Sequence, residues 1–189
     1  MPKLLIVISS VREGRIGGTI AEWFAERATE HGGWELDVAD LKEIALPLHD
    51  EPHHPRLHDY VRDYTKAWSA IVDAADAFVF VTPEYNFMAP PSLLNAMNYL
   101  NREWKYKALG VVSYGGISAG TRSSNELRVA ASALGLFQVL PAVSIPFAGL
   151  AVREGTLAEN EHARRSVPLM LDEMKKVDGA LRVLREPAQ

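Results

Sequence analysis

A chain of 189 residues is long enough to bury one substantial core, and typical domain sizes favour one domain over two. Twenty basic against twenty-four acidic side chains give a formal net charge of −4, which offers no general attraction to nucleic acid or to an anionic membrane surface. Cysteine is absent, which removes disulfides, thiol catalysis and thiolate metal sites and is consistent with a reducing compartment.

The run Lys3-Leu4-Leu5-Ile6-Val7-Ile8 reads as a first strand, near 3–9, entered almost at once and without the charged-then-apolar pattern of a signal peptide. Hydroxyls, two arginines and three glycines follow between Ser9 and Thr19, leading into a helix near 17–31. Its apolar residues Ile20, Trp23, Phe24 and Ala28 recur at helical spacing, and Gly32-Gly33 stops the pattern. A helix N-terminus reached through a Gly and Ser loop favours an anion, because free N–H groups and the helix dipole point at it. Arg12 or Arg15 could add charge-assisted hydrogen bonds, and phosphate is the natural occupant. The loop carries neither the dinucleotide fingerprint G-x-G-x-x-G nor the Gly-Lys-Ser/Thr of a P-loop.

A second strand is expected near 34–39, and the stretch Leu46 to Pro55 behind it holds three prolines, so it continues neither a helix nor a central strand. With His58 this surface loop carries four of the six histidines. Their spacing puts no two ligands on one helix face, so no metal site is expected, and a lid over the site is the preferred reading. A helix near 57–75 follows.

Ala77-Phe78-Val79-Phe80-Val81 has the composition of a strand buried on both faces, near 77–82, and the polar, aromatic loop Thr82-Pro83-Glu84-Tyr85-Asn86 leaves its carboxyl end. In open α/β sheets ligands bind at that edge. Pro83 stiffens the exit, the following peptide groups are free to face a ligand, and Tyr85 offers a ring for stacking. Glu84 is read as a capping or solvated carboxylate, not as an acid or base. A helix near 90–101 comes next; Trp104 and Tyr106 are expected in a loop near the site at the carboxyl edge, and with Met97, Tyr99 and Leu100 they are either core or an interface.

A fourth strand near 107–113 runs into Ser113-Tyr114-Gly115-Gly116-Ile117-Ser118, whose glycines permit close backbone approach to a flat ligand. Ser118 is positioned to cap a helix near 119–134. A fifth strand near 137–145 and a helix near 160–184 complete the pattern, with a dispensable flexible tail at 186–189. Alternating strands and helices imply a parallel sheet with helices on both faces, and five strands suit the order 2-1-3-4-5. The expected fold is therefore an α/β three-layer sandwich forming one domain over 1–185. No apolar run approaches the roughly 20 residues of a membrane span.

Ser10-Val11-Arg12, Pro83-Glu84-Tyr85-Asn86 with Leu93-Leu94-Asn95-Ala96, and Ser113-Tyr114-Gly115-Gly116 together resemble the NAD(P)H-dependent FMN reductases of flavodoxin-like fold, a group that includes quinone, chromate and azo-dye reductases. The resemblance runs from about Lys3 to Phe147. It implies that Ser10, Arg12, Arg15, Ile16 and Gly17 hold the FMN phosphate. By the same resemblance Pro83, Glu84, Tyr85 and Asn86 line the isoalloxazine, and Ser113, Tyr114, Gly115 and Gly116 approach its other side. The chain departs from the family pattern at Ser9, Gly17, Met88 and Pro91, where Gly, Asn, Ser and Gly are common. The implied activity is passage of hydride from NADH or NADPH to bound FMN and on to a flavin, quinone or similar acceptor by a ping-pong mechanism, with no essential side chain. A flavodoxin-like electron carrier and a flavin-free binding protein are the alternatives. The resemblance implies a homodimer or homotetramer, while the charge, the missing signal pattern and the missing membrane span lead to the expectation of a cytoplasmic protein without nucleic-acid or membrane partners.

Overall fold

Lys3–Ile8 (β1), Ala77–Pro83 and Ala108–Tyr114 are the apolar runs read from the sequence, and they form the centre of a sheet. The computed structural model describes residues 1–185; the tail expected at 186–189 lies outside the described residues. In chain order the elements after β1 are α1 (Gly17–His31), β2 (Glu35–Asp40), α2 (Leu41–Ile44) and α3 (Asp63–Asp73). Then come β3 (Ala77–Pro83), α4 (Pro91–Asn98), β4 (Ala108–Tyr114) and α5 (Thr121–Ala133). The chain continues with β5 (Phe137–Gln138), β6 (Val143–Ile145), α6 (Ala148–Ala151), the small hairpin β7 (Val152–Arg153) and β8 (Thr156–Leu157), and α7 (Glu161–Arg185).

The sheet order is β2-β1-β3-β4-β5 with every pairing parallel, as the alternating pattern predicts. All residues of β3 and β4 are buried, the condition of a parallel strand covered on both faces. The period of two divides the core. Leu4, Ile6, Ile8, Val79 and Val81 pack on α1 and α7, whereas Leu5, Val7, Phe78, Phe80 and Leu109 pack on α3, α4 and α5. The helix α7 can lie close to β4 because position 110 is glycine; a Cβ there would stand 2.6 Å from Met174 Sδ.

The expected fifth strand, 137–145, is two strands instead of one. Both β5 and β6 pair with β4, and the chain between them leaves the ladder around Pro141, which has no N–H to give it. The helix expected over 57–75 begins only at Asp63, because Pro55 opens a 3-10 turn (Pro55–Leu57) that His58 closes in the left-handed region. The stretch expected as one helix over 90–101 is α4 alone, with a second 3-10 turn at Arg102–Trp104 beyond it. Met97, Tyr99, Leu100 and Trp104 are core residues, and Trp104 lies by the start of β3, away from the carboxyl edge where the sequence reading put it.

Trp104 is the hub of a buried aromatic nest. Its ring lies 4.9 Å from Phe78, 6.1 Å from Phe80 and 6.1 Å from Trp68, all in edge-to-face or steeply inclined contact. Its Nε1 donates to the Met97 carbonyl at 3.1 Å, so the polar atom is satisfied where the ring is buried. Trp104→Ala should therefore cost about 3–5 kcal/mol through cavity formation and a lost hydrogen bond. Urea denaturation checks this; a loss under about 1 kcal/mol would show that the nest collapses around the gap.

Candidate functional site

The register Ile8↔Val81, Val81↔Val112 and Pro83↔Tyr114 brings the ends of β1, β3 and β4 to one edge. An open cleft of about 360 Å³ lies there. From the first loop Arg12, Arg15 and Ile16 line it; from the second, Pro83, Glu84 and Tyr85; from the third, Tyr114, Gly115 and Gly116. The remaining expected residues do not reach its wall. Ser10, Gly17 and Ser113 are buried behind it, and Asn86 sits exposed at a turn tip.

Arg15 is committed to the protein. Its guanidinium makes a forked pair with Asp40 at 2.5 Å on both arms and donates to the Ser10 carbonyl at 2.9 Å. The Asp40 hydrogen bond raises the Arg15 pKa, while Asp40, whose burial alone would raise it, is held below the usual carboxylate range by Arg15. The sequence expected this guanidinium on a phosphate; the observed pairing instead fastens the loop to the end of β2. Arg12 is exposed, with Nε donating to the Tyr85 hydroxyl at 3.2 Å. The helix α1 begins at Gly17 with Ile16 at the cap position and no side-chain cap, so its first N–H groups are unclaimed by side chains.

The second loop folds on itself. Tyr85 and Met88 exchange backbone hydrogen bonds of 2.9 and 3.0 Å around Asn86 (φ 51°) and Phe87 (φ 72°), the two positive φ angles of a type I′ turn. Phe is a poor residue for positive φ, and here the Arg122 guanidinium stacks 4.2 Å over its ring. Arg122 also pairs with Glu84 at 2.8 Å, and its backbone N–H donates to Glu84 at 3.2 Å. Glu84 thus caps α5 from a distant loop, a role forced by Gly120, which stands at the cap position at φ 77° without a side chain. Ser118, the expected cap, precedes that glycine, and the helix starts later than the sequence indicated. Burial pushes the Glu84 pKa up, but the Arg122, Ser118 and backbone hydrogen bonds outweigh it and leave the carboxyl below its ordinary value.

The third loop is tied to a segment the sequence reading missed. Gly115 N donates to the Ile145 carbonyl, and the N–H groups of Phe147 and Ala148 return to Gly116 and Gly115. Phe147 to Leu150 thereby form a fourth wall of the cleft. The signal was present: Pro146-Phe147-Ala148-Gly149 leaves a strand end exactly as the other three loops do, at the same edge of the sheet. Ser113 serves structure, its Oγ donating to the Ala119 carbonyl at 2.9 Å.

The His-rich loop does not cover this cleft, contrary to the lid expected of it. Asn95 Nδ2 and the Tyr99 hydroxyl both donate to the Pro47 carbonyl, at 2.7 and 3.0 Å, and bind the loop down on α4. Its histidines go to separate neighbours. His53 Nδ1 is 2.7 Å from Asp59, His58 Nδ1 is 3.1 Å from the buried Glu103, His54 accepts from Arg56 N, and His49 packs edge-on against Tyr99.

Residues 2–149 match the family model described as NADPH-dependent FMN reductase. The chain belongs to that family. It is 37% identical over 148 residues to an NAD(P)H-dependent FMN reductase of Schizosaccharomyces pombe, covering 77% of this chain and 74% of that one. It is 27% identical over 202 residues to the NAD(P)H-dependent FMN reductase ntnL of Nectria sp, covering both chains fully. The flavoenzyme NAD(P)H:(acceptor) oxidoreductase FerB of Paracoccus denitrificans shares the fold at a TM-score of 0.74 and 18% identity, over 93% of this chain and 98% of that one. This FMN reductase is accordingly an oxidoreductase of flavodoxin-like fold that uses FMN and NAD(P)H. Among the described residues no helix is long and apolar enough to cross a membrane.

The Glu84–Arg122 tie gives a pH-dependent expectation. A carboxyl whose folded pKa is depressed adds stability above its unfolded pKa of roughly 4.5 and loses it as pH falls through the folded value. Glu84→Gln should cost about 1–2 kcal/mol at neutral pH. The gap from the parent protein should close as urea midpoints are measured at progressively lower pH; a gap that persists undiminished would deny the ion pair its role.

Proposed function

We propose that this FMN reductase holds FMN along the cleft, phosphate at the start of α1 and ring system between the Tyr85 loop and Gly115-Gly116. The observation that carries the reading is the uncapped first turn of α1, which opens beside the cleft with Ser10 and Arg12 in the loop before it. Unclaimed N–H groups and the positive end of the helix dipole suit a dianion. The donor set fits the group: Arg12 has guanidinium N–H groups beyond the one on Tyr85, and no side chain claims the first N–H groups of α1. Arg15 supports the loop from behind, through Asp40, and Asn86 is held at the turn tip as a loop former.

FMN held there would supply the redox chemistry, hydride transfer from NADH or NADPH and reduction of a flavin, quinone or similar acceptor. The residues of the chain orient and exclude. Tyr85 and Tyr114 wall the ring site, and Gly115 and Gly116 let backbone approach it closely. Glu84 is ion-paired and takes no part as acid or base. Phe87, Met88, Phe147 and Leu150 stand exposed around the cleft, between 52% and 71% of their surface open, an apolar rim that suits a second copy of the chain. We therefore propose a homodimer or homotetramer built from one domain over 1–185, and a cytoplasmic location in keeping with the absence of cysteine.

Two measurements test this. Arg12→Ala should weaken FMN binding by about 1.5–3 kcal/mol, the worth of a charge-assisted hydrogen bond, with riboflavin affected far less; an unchanged FMN dissociation constant removes Arg12 from the phosphate site. Steady-state turnover should give parallel double-reciprocal lines, because nicotinamide and acceptor use one opening in turn. Flat acceptors should differ by no more than about a hundredfold in kcat/KM, since apolar contact discriminates by only ~1–3 kcal/mol. Intersecting lines would refute the shared opening.

A further inference from the structure

Two residues beside the cleft break local rules, and they meet. Phe87 sits in the Asn86-Phe87 turn at φ 72°, where glycine is the residue that fits, and 66% of it is exposed, so burial within its own chain offsets little of that strain. Arg122 stands in the first turn of α5, at the positive end of the helix dipole, where a cation is unfavourable. Its guanidinium lies 4.2 Å over the Phe87 ring and 2.8 Å from Glu84. Conflicts between a residue and its place in the chain collect where function demands them.

The helix α5 holds the second loop at both ends and at its tip. Arg122 and Glu126 have the i, i+4 spacing at which opposite charges on a helix ordinarily pair with each other. Among the described residues no ion pair joins them. Arg122 goes to Glu84 and Phe87, while the Glu126 carboxylate accepts from Ala89 N. Tyr85, which this loop contributes to the cleft wall, lies between those ties. It exchanges backbone hydrogen bonds with Met88 across the turn, so its place depends on the turn keeping its shape. The planar guanidinium suits the stack; an ammonium could keep the charge beside Glu84 but not the flat contact.

We propose that Arg122 is a positioning residue for the reaction: its stack on Phe87 holds the Asn86-Phe87 turn in the left-handed region and thereby sets Tyr85 against the ring site. The clamp rests on the placement of the ring system given above. It acts from outside the cleft wall, through the turn, and explains why a phenylalanine is tolerated at a position whose backbone asks for glycine.

The test compares Arg122→Lys in two backgrounds, the parent chain and Phe87→Gly, because an Asn-Gly pair adopts this turn unaided. In FMN-saturated protein, hydrogen exchange at the Met88 amide, which donates to the Tyr85 carbonyl, should speed up about three- to tenfold on Arg122→Lys, the range of a half-exposed cation–π contact. The kcat/KM values for a nicotinamide and for a flat quinone should fall by a similar factor. With glycine at position 87 the same change should move both readouts by less than about twofold, because the clamp acts through Phe87. Equal effects in the two backgrounds, no effect in the parent, or faster exchange with unchanged turnover would each overturn the clamp. Tyr85→Ala separates the clamp from the reading beneath it. A Tyr85→Ala variant that turns over like the parent would overturn the ring placement itself, whereas loss of turnover there with none on Arg122→Lys would overturn the clamp alone.

Discussion

Pairing of β3 with β1 on one side and β4 on the other fixes where the remaining parts of the molecule can lie. Each of these strands is buried on both faces, so none can slip in register without moving every apolar side chain to the wrong layer. Parallel pairing requires crossovers, and the crossovers put all carboxyl ends at one edge. The cleft is a consequence of that arithmetic. Three loops leave the sheet side by side, and the fourth, after β6, joins them because β4 has a neighbour on its other flank as well.

Loops emerging from a rigid sheet still need to be held, and in this molecule charge does much of that. Arg15 with Asp40 fastens the first loop to β2, Glu84 with Arg122 fastens the second to α5, and Arg12 reaches from the first loop to Tyr85 in the second. Each pair spans elements distant in sequence, and the two ion pairs have at least one partner largely out of solvent. Such contacts contribute modestly to folding, but they remove alternatives for the loop backbone, which is what a binding site built from loops requires. The side chains are spent on one another. The groups left facing the cleft are then backbone N–H groups, aromatic rings and one exposed guanidinium.

Much of this arrangement was legible in the sequence, and the reasons differ by residue. Buried parallel strands announce themselves as unbroken apolar runs, so β1, β3 and β4 and the sheet order followed from composition and alternation. The loops at their ends were visible because Pro83, the glycines around 115 and the Ser-Arg-Gly stretch before α1 have backbone requirements that point away from ordinary secondary structure. What escaped was pairing between distant side chains. Nothing near Arg15 in the sequence indicates that Asp40 waits across β1, and nothing near Glu84 indicates that Gly120 leaves α5 uncapped. The His-rich loop and Trp104 were misplaced for a related cause. Proline content locates a loop in the chain, and aromatic content marks a side chain worth burying, yet neither says which face of the sheet receives it.

Under the proposed placement the two ends of the cleft are chemically unlike, and this division bears on how one opening can retain a cofactor and still turn over other ligands. At the α1 end the available contacts are directional and charge-assisted, with donors fixed by secondary structure before any ligand arrives, so little ordering cost is met on binding. At the ring end the surfaces are Tyr85, Tyr114 and exposed Phe147 and Leu150, which offer area without fixed polar partners. Affinity at the first end is set by hydrogen bonds that only a phosphate satisfies, and is therefore high for one ligand and low for others. Affinity at the second scales with flat apolar contact, and is moderate for many. A site made this way keeps what it holds by the phosphate and releases what it meets only by the ring, so exchange of substrates need not loosen the cofactor.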